Sequence, residues 1–116
     1  MHMETESARS NIMVERYYNE NDELGVLISV GYGAGWGTWN DKNLAYDKII
    51  IEKWLENVSS DDMQNYIVSL GYDRPYMGGY RNLCLEFVPR GTMFCIYEID
   101  GYESIETPET MHMTIA

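Results

Sequence analysis

The stretch Leu24-Gly25-Val26-Leu27-Ile28-Ser29-Val30-Gly31-Tyr32-Gly33-Ala34-Gly35-Trp36-Gly37-Thr38-Trp39-Asn40 decides how this chain folds. Its first seven residues are short, branched and apolar, which is the pattern of a buried strand. Four glycines then alternate with other residues up to Gly37, so bare backbone lies beside the rings of Tyr32, Trp36 and Trp39. Glycine persists where a positive φ or a close approach is needed, at a cost in conformational entropy. Such a loop suits either a backbone-lined ligand pocket or a tight packing turn. A helix is expected to begin at its far end, near Asn40 or Asp41.

Downstream, Leu44, Ile50, Ile51, Trp54 and Leu55 within residues 41–57, with Val58 just beyond, fall at roughly helical spacing, which predicts a first helix over 41–57. Ser59-Ser60-Asp61-Asp62 reads as an N-cap with acids in the first turn of a second helix. Met63, Tyr66, Ile67 and Leu70 mark its apolar face, and Gly71 suits its C′ position. Residues 72–80 form a second loop rich in glycine and tyrosine, with Tyr72, Tyr76, Gly78, Gly79 and Tyr80. It is expected to sit beside the first.

Residues 82–88 and 93–99 read as strands joined by a three-residue loop, Pro89-Arg90-Gly91, with Gly91 left-handed. Asp100-Gly101 is a strong two-residue hairpin turn into a last strand over 102–107. Upstream, residues 1–11 are polar and expected to be loose, while 12–18 suits an edge strand. The organisation is therefore an N-terminal extension (1–23), a single domain (24–107) and a tail (108–116). The fold class is α+β, an antiparallel sheet of about four strands with two helices packed on one face.

In the three-residue-loop register, Leu85 faces Cys95 and Cys84 faces Ile96. Cys84 and Cys95 then point to opposite faces and cannot pair, in keeping with a reducing compartment. Both read as packing residues. Leu83, Leu85, Phe87, Met93, Cys95, Tyr97 and Ile99 share the face expected to meet the helices. The opposite face carries Cys84, Glu86, Val88, Phe94, Ile96, Glu98 and Ile105, more apolar than a solvated face needs. Two coverings fit it, the N-terminal extension or a homo-oligomeric or partner interface. Glu98 also falls opposite Glu103 across the Asp100-Gly101 turn, an unfavourable pairing of like charges. Either water separates them or a basic partner or cation does. The candidate interface residues are Cys84, Glu86, Phe94, Ile96, Glu98, Glu103 and Ile105.

Composition narrows the function. With 116 residues, 45% apolar content and 13% aromatic content, the chain supports one globular core. Its formal net charge is −11, with eight Lys and Arg scattered through it. That argues against a phosphate-binding nucleic-acid surface and an anionic membrane surface, and fits either plain solubility or attraction to a basic protein surface. No apolar run approaches the roughly 20 residues of a membrane span, and Glu4 and Glu6 argue against a signal peptide. A cytoplasmic location is expected.

The means for catalysis are thin. Both histidines, His2 and His112, lie in terminal segments, which disfavours a Ser-His or Cys-His pair. The glycine loop lacks the Lys-Ser/Thr of a P-loop and the full G-x-G-x-x-G spacing. Two cysteines without neighbouring histidine are too few for zinc. No enzyme activity, metal or cofactor is expected. Ligand binding is more credible, with glycine amides for an anion, aromatic rings for a flat group and an arginine for a phosphate. Its candidate residues are Tyr32, Gly33, Gly35, Trp36, Trp39, Tyr76 and Arg81.

The run from Val30 to Asn40 resembles the opening of a widespread set of small, mostly uncharacterised bacteriophage proteins, a strand followed by TGYGAGWSTWN. Tyr76-Met77-Gly78-Gly79 is similar to their YxGG segment. Val88-Pro89-Arg90-Gly91-Thr92-Met93-Phe94-Cys95-Ile96-Tyr97-Glu98-Ile99-Asp100-Gly101-Tyr102-Glu103-Ser104-Ile105 is similar to their VPxGTxFxIxEYDGxESI segment. Gly37 replaces the usual Ser, and residues 1–23 extend beyond the typical start. The resemblance implies a phage accessory protein without assigned chemistry, of the kind that binds and disables host or defence proteins. The alternative is a small-ligand, nucleotide-like binding or sequestering protein built on the Gly/aromatic loop.

Overall fold

In the computed structural model, which describes residues 14–109, the element that everything else covers is β1 (Glu23–Ser29). Leu24 through Ser29 are all buried, so every backbone polar group there needs a partner. The strand β2 (Leu83–Pro89) supplies an antiparallel ladder along the whole of β1, with Leu24 opposite Val88, Leu27 opposite Leu85 and Ser29 opposite Leu83. A second antiparallel ribbon joins β3 (Cys95–Ile99) to β4 (Tyr102–Glu106). The α+β class, with four antiparallel strands and two helices, is as the sequence predicts.

The strand pairing differs from the expected hairpin. The turn after β2 does form, since Thr92 N–H donates to the Pro89 carbonyl at 3.0 Å and Gly91 has φ +88°. The chain then leaves without running back along β2, so Leu85 pairs with Leu27 instead of Cys95, and Cys84 with Ile28 instead of Ile96. β2 supplies the ladder that the buried β1 needs for its backbone groups, and β3 finds its own in β4, so the strands form two separate two-stranded sheets.

The first helix also breaks where one continuous helix is expected over 41–57. A short 3-10 turn, Lys42–Ala45, precedes α1 (Lys48–Leu55). Asp47 separates them by acting as N-cap: its carboxylate accepts the Ile49 N–H at 2.9 Å and the Tyr72 hydroxyl at 2.8 Å. A capping carboxylate satisfies the free amides of a new helix start, which a mid-helix aspartate does not do. α2 (Ser60–Ser69) has the expected ends, Ser59 accepting from Asp62 N–H and Gly71 at φ +102°. Of the predicted edge strand, residues 14–18 contribute only two isolated bridges, Arg16 with Asp47 and Tyr18 with Leu24. Residues 1–13 and 110–116, including His2 and His112, lie outside the described residues.

The two faces of β1 and β2 build two clusters. Leu27, with Leu83 and Leu85 beside it, meets Trp36, Leu44, Ile50, Ile51, Met63 and Ile67, so both helices pack on this face. Leu24, Val26, Ile28 and Val88 face the other way onto Phe94, Ile96 and Ile105. The β3–β4 ribbon is therefore a second layer, laid across the face opposite the helices.

Candidate functional site

The glycine loop is held by a buried carboxylate. Glu103, fully buried on β4, accepts the Ser29 N–H at 2.7 Å through one oxygen. Its other oxygen accepts the Trp36 N–H at 2.9 Å, the Thr38 N–H at 3.1 Å and the Thr38 hydroxyl at 2.5 Å. Successive loop amides make a natural anion cradle, and here the anion is the protein's own side chain. Glu98 stays opposite Glu103, as the register predicts. Its carboxylate accepts the Gly101 N–H at 2.6 Å and the Trp39 indole N–H at 3.1 Å. Those two contacts, the first the larger, hold Glu98 below the usual carboxylate range. Each carboxylate of the like-charge pair is thus met by donors from the loop, the turn or the end of β1.

Glycines on two other segments clamp the same loop. A Cβ on Gly79 would sit 2.6 Å from the Gly35 carbonyl oxygen, and one on Gly101 would sit 2.3 Å from Ala34 N. Backbone therefore packs on backbone on both sides of Ala34-Gly35. Gly33 N–H donates to the Asp100 carbonyl at 2.6 Å, which ties the Asp100-Gly101 turn to the loop. Trp36 is fully buried, its indole N–H donating to the Leu44 carbonyl at 3.2 Å.

The seven predicted ligand residues divide accordingly. Tyr32, Gly33, Tyr76 and Arg81 line one cleft of about 490 Å³ between the two glycine loops. Gly35 and Trp36 are buried and serve packing, and Trp39 stands behind Tyr76, its ring stacked at 5.9 Å between centroids. The expectation that the two loops adjoin is met, and Asn40 joins them. Its side-chain NH2 donates to the Trp36 and Tyr76 carbonyls, both at 3.0 Å, and its carbonyl accepts the Tyr76 N–H at 2.9 Å. Sequence reasoning missed Asn40, reading it as a helix start, and missed Ser60 and Asn82, which complete the cleft. No local pattern marks those residues, because loop closure brings them in.

The predicted interface face turns inward. Phe94, Ile96 and Ile105 are half-buried against the β1–β2 cluster, and Glu103 is fully buried. Cys84 is half-buried with its thiol 3.5 Å from a Glu86 oxygen, and Glu86 is exposed. Burial and the nearby Glu86 carboxylate push the Cys84 thiol up from its ordinary value. The covering of this face is therefore mostly β1 and β2, where an extension or a partner was expected. Of the face expected to meet the helices, Leu83 and Leu85 do so, but the rest is open: Met93 is 77% exposed, Ile99 56% and Tyr97 53%, with Phe87 and Cys95 exposed as well. Because β3 pairs with β4 and not with β2, the ribbon lies across the β1–β2 cluster and turns Phe94 and Ile96, not Tyr97 and Ile99, toward apolar neighbours. Both cysteines are free, and Cys95 is not a packing residue.

Among the described residues no group of three or more His, Cys, Asp or Glu is placed to hold a metal ion, and no helix is long and apolar enough to cross a membrane. Comparison with protein-family models, curated proteins and solved structures finds no match to this chain.

Proposed function

We propose that this chain acts by binding rather than by chemistry, as a phage accessory protein that engages a host or defence protein through the outward face of β3–β4. The observation that carries the reading is the contiguous apolar surface there. Ile99 pairs with Tyr102, Tyr97 lies two pairs further along and so on the same face, and the exposed ring of Tyr32 packs on Tyr102 at 5.1 Å. Exposed apolar patches of this kind mark interaction sites, with aromatic residues as common anchors. The phage assignment rests on the sequence resemblance. The net charge of −11 favours a partner with a basic rim.

The test is affinity capture from phage-infected cells with the natural chain and Ile99→Asp side by side, followed by light scattering of each. A stoichiometric host polypeptide lost on Ile99→Asp supports the reading. A homodimer that dissociates on the same substitution makes the face a self-association surface instead. Equal capture by both proteins overturns it.

A further inference from the structure

The cleft between the two glycine loops adjoins the outward face of β3–β4 through Tyr32 and carries a ligand class of its own. Its polar equipment is asymmetric. Arg81 is exposed and makes no ion pair or hydrogen bond with another described residue, although the chain has 19 acids to eight bases. The Asn82 side chain, half-buried against the Gly31 backbone, likewise leaves its amide without a described partner. Among the described residues no carboxylate lines the cleft. A guanidinium with no ion partner among the described residues offers a fork for phosphate or carboxylate, and the Asn82 amide offers a donor and an acceptor on one edge.

Its aromatic equipment is already in place. Tyr32 and Tyr76 are 71% and 55% exposed, yet each is backed by a second ring, Tyr102 at 5.1 Å and Trp39 at 5.9 Å. Asn40 fixes the Tyr76 backbone from both sides. Gly78 leaves room for the Tyr76 ring, since a Cβ there would meet it at 2.6 Å. Exposed rings held this way present a flat surface without the entropy loss of ordering them on binding. The cleft's 490 Å³ falls within the roughly 300–1,000 Å³ of small-molecule sites.

We propose that this cleft binds a free mononucleotide, its base against Tyr32 and Tyr76 with Asn82 at the base edge, and its phosphate on Arg81. The charge distribution limits the ligand to one phosphate group. The described lining holds one arginine, and its Ser60 is followed in sequence by Asp61 and Asp62 in the first turn of α2. A polyphosphate or a polynucleotide would extend its charges into that acidic surround, which no basic patch relieves. The loop amides are not available for a further phosphate, because Glu103 takes those of Trp36 and Thr38.

Isothermal titration calorimetry of the full chain tests this, with AMP, GMP, CMP and UMP as probes. Adenosine, inorganic phosphate and a single-stranded oligonucleotide are titrated separately. The expected result is one saturable site for at least one mononucleotide, weakened about tenfold or more by Arg81→Ala and by Tyr76→Ala, and unchanged by Lys42→Ala. Adenosine and phosphate alone are expected to bind at least about tenfold more weakly than the best mononucleotide. Arg81 is exposed, so a thermal melt of Arg81→Ala matching the natural chain certifies the fold. The proposal is overturned by no saturable heat from any mononucleotide up to about 1 mM, by undiminished binding in Arg81→Ala, or by tighter binding of the oligonucleotide. Ile99→Asp, away from the cleft lining, separates failure of this site from failure of the protein-binding face.

Discussion

The Glu103 carboxylate lies 2.9 Å from the backbone N–H of Trp36, across 67 residues of sequence, and this contact sets the glycine loop on the sheet. The same carboxylate accepts from Ser29 and Thr38, so it joins the end of β1, the loop and β4. Glu103→Gln keeps the shape but turns an NH2 toward amide donors. The expected loss is about 2–4 kcal/mol of unfolding free energy, since each orphaned buried donor costs about 1–3 kcal/mol. Urea denaturation measures it, and a loss below about 1 kcal/mol would remove Glu103 from this role.

Gly91 and Gly101 separate backbone strain from packing. Both have φ near +88°, but a Cβ on Gly91 meets nothing within 4 Å while one on Gly101 meets Ala34 N at 2.3 Å. Gly91→Ala is expected to cost about 1–2 kcal/mol, the ordinary left-handed penalty. Gly101→Ala carries the same penalty plus displacement of the loop, so its melting temperature falls further. Equal losses would show that the turn does not clamp the loop.

Phe94 and Ile99 test which face of β3 is inside. Phe94→Asp buries a charge against Leu24, Val26 and Val88 and is expected to abolish cooperative folding or lower stability by several kcal/mol, about 3 or more. Ile99→Asp, on a residue 56% exposed, is expected to stay within about 0.5 kcal/mol of the natural chain. Thermal melts of the two variants check the assignment, and a reversed order would restore the face expected from the local hairpin.

Acid stability carries the signature of Glu98. The Gly101 N–H and then the Trp39 indole hold its carboxyl below the usual range in the folded chain. A lowered folded value means that its contribution is full above the ordinary carboxylate range. That contribution is lost as pH falls through and below that range. Melting temperature against pH is therefore expected to fall less steeply on the acid side for Glu98→Gln than for the natural chain. Parallel curves would assign the acid sensitivity elsewhere.

Much of the local structure is legible in the residues. Asp100-Gly101 adopts the expected tight turn, with φ of +50° and +87°, because two left-handed residues in succession suit that pair above others. Ser59 caps α2 and Gly71 ends it, since the hydroxyl and the missing Cβ act on amides and carbonyls a few residues away. Four of the seven ligand candidates, Tyr32, Gly33, Tyr76 and Arg81, meet in one cleft. Their residue types already implied a flat or anionic ligand, whatever their positions.

The sequence by itself determined the buried strand, the two turns, the caps of α2 and the opposition of Glu98 to Glu103. Each of these is governed by interactions a few residues long. Only the tertiary structure decided that β2 pairs with β1, that Phe94 and Ile96 face inward, and that Glu103 fills the anion cradle of the loop. Those outcomes depend on which distant segment best satisfies a buried strand and its neighbouring amides. That competition is settled by the free energy of the whole packed chain, and no short stretch encodes it.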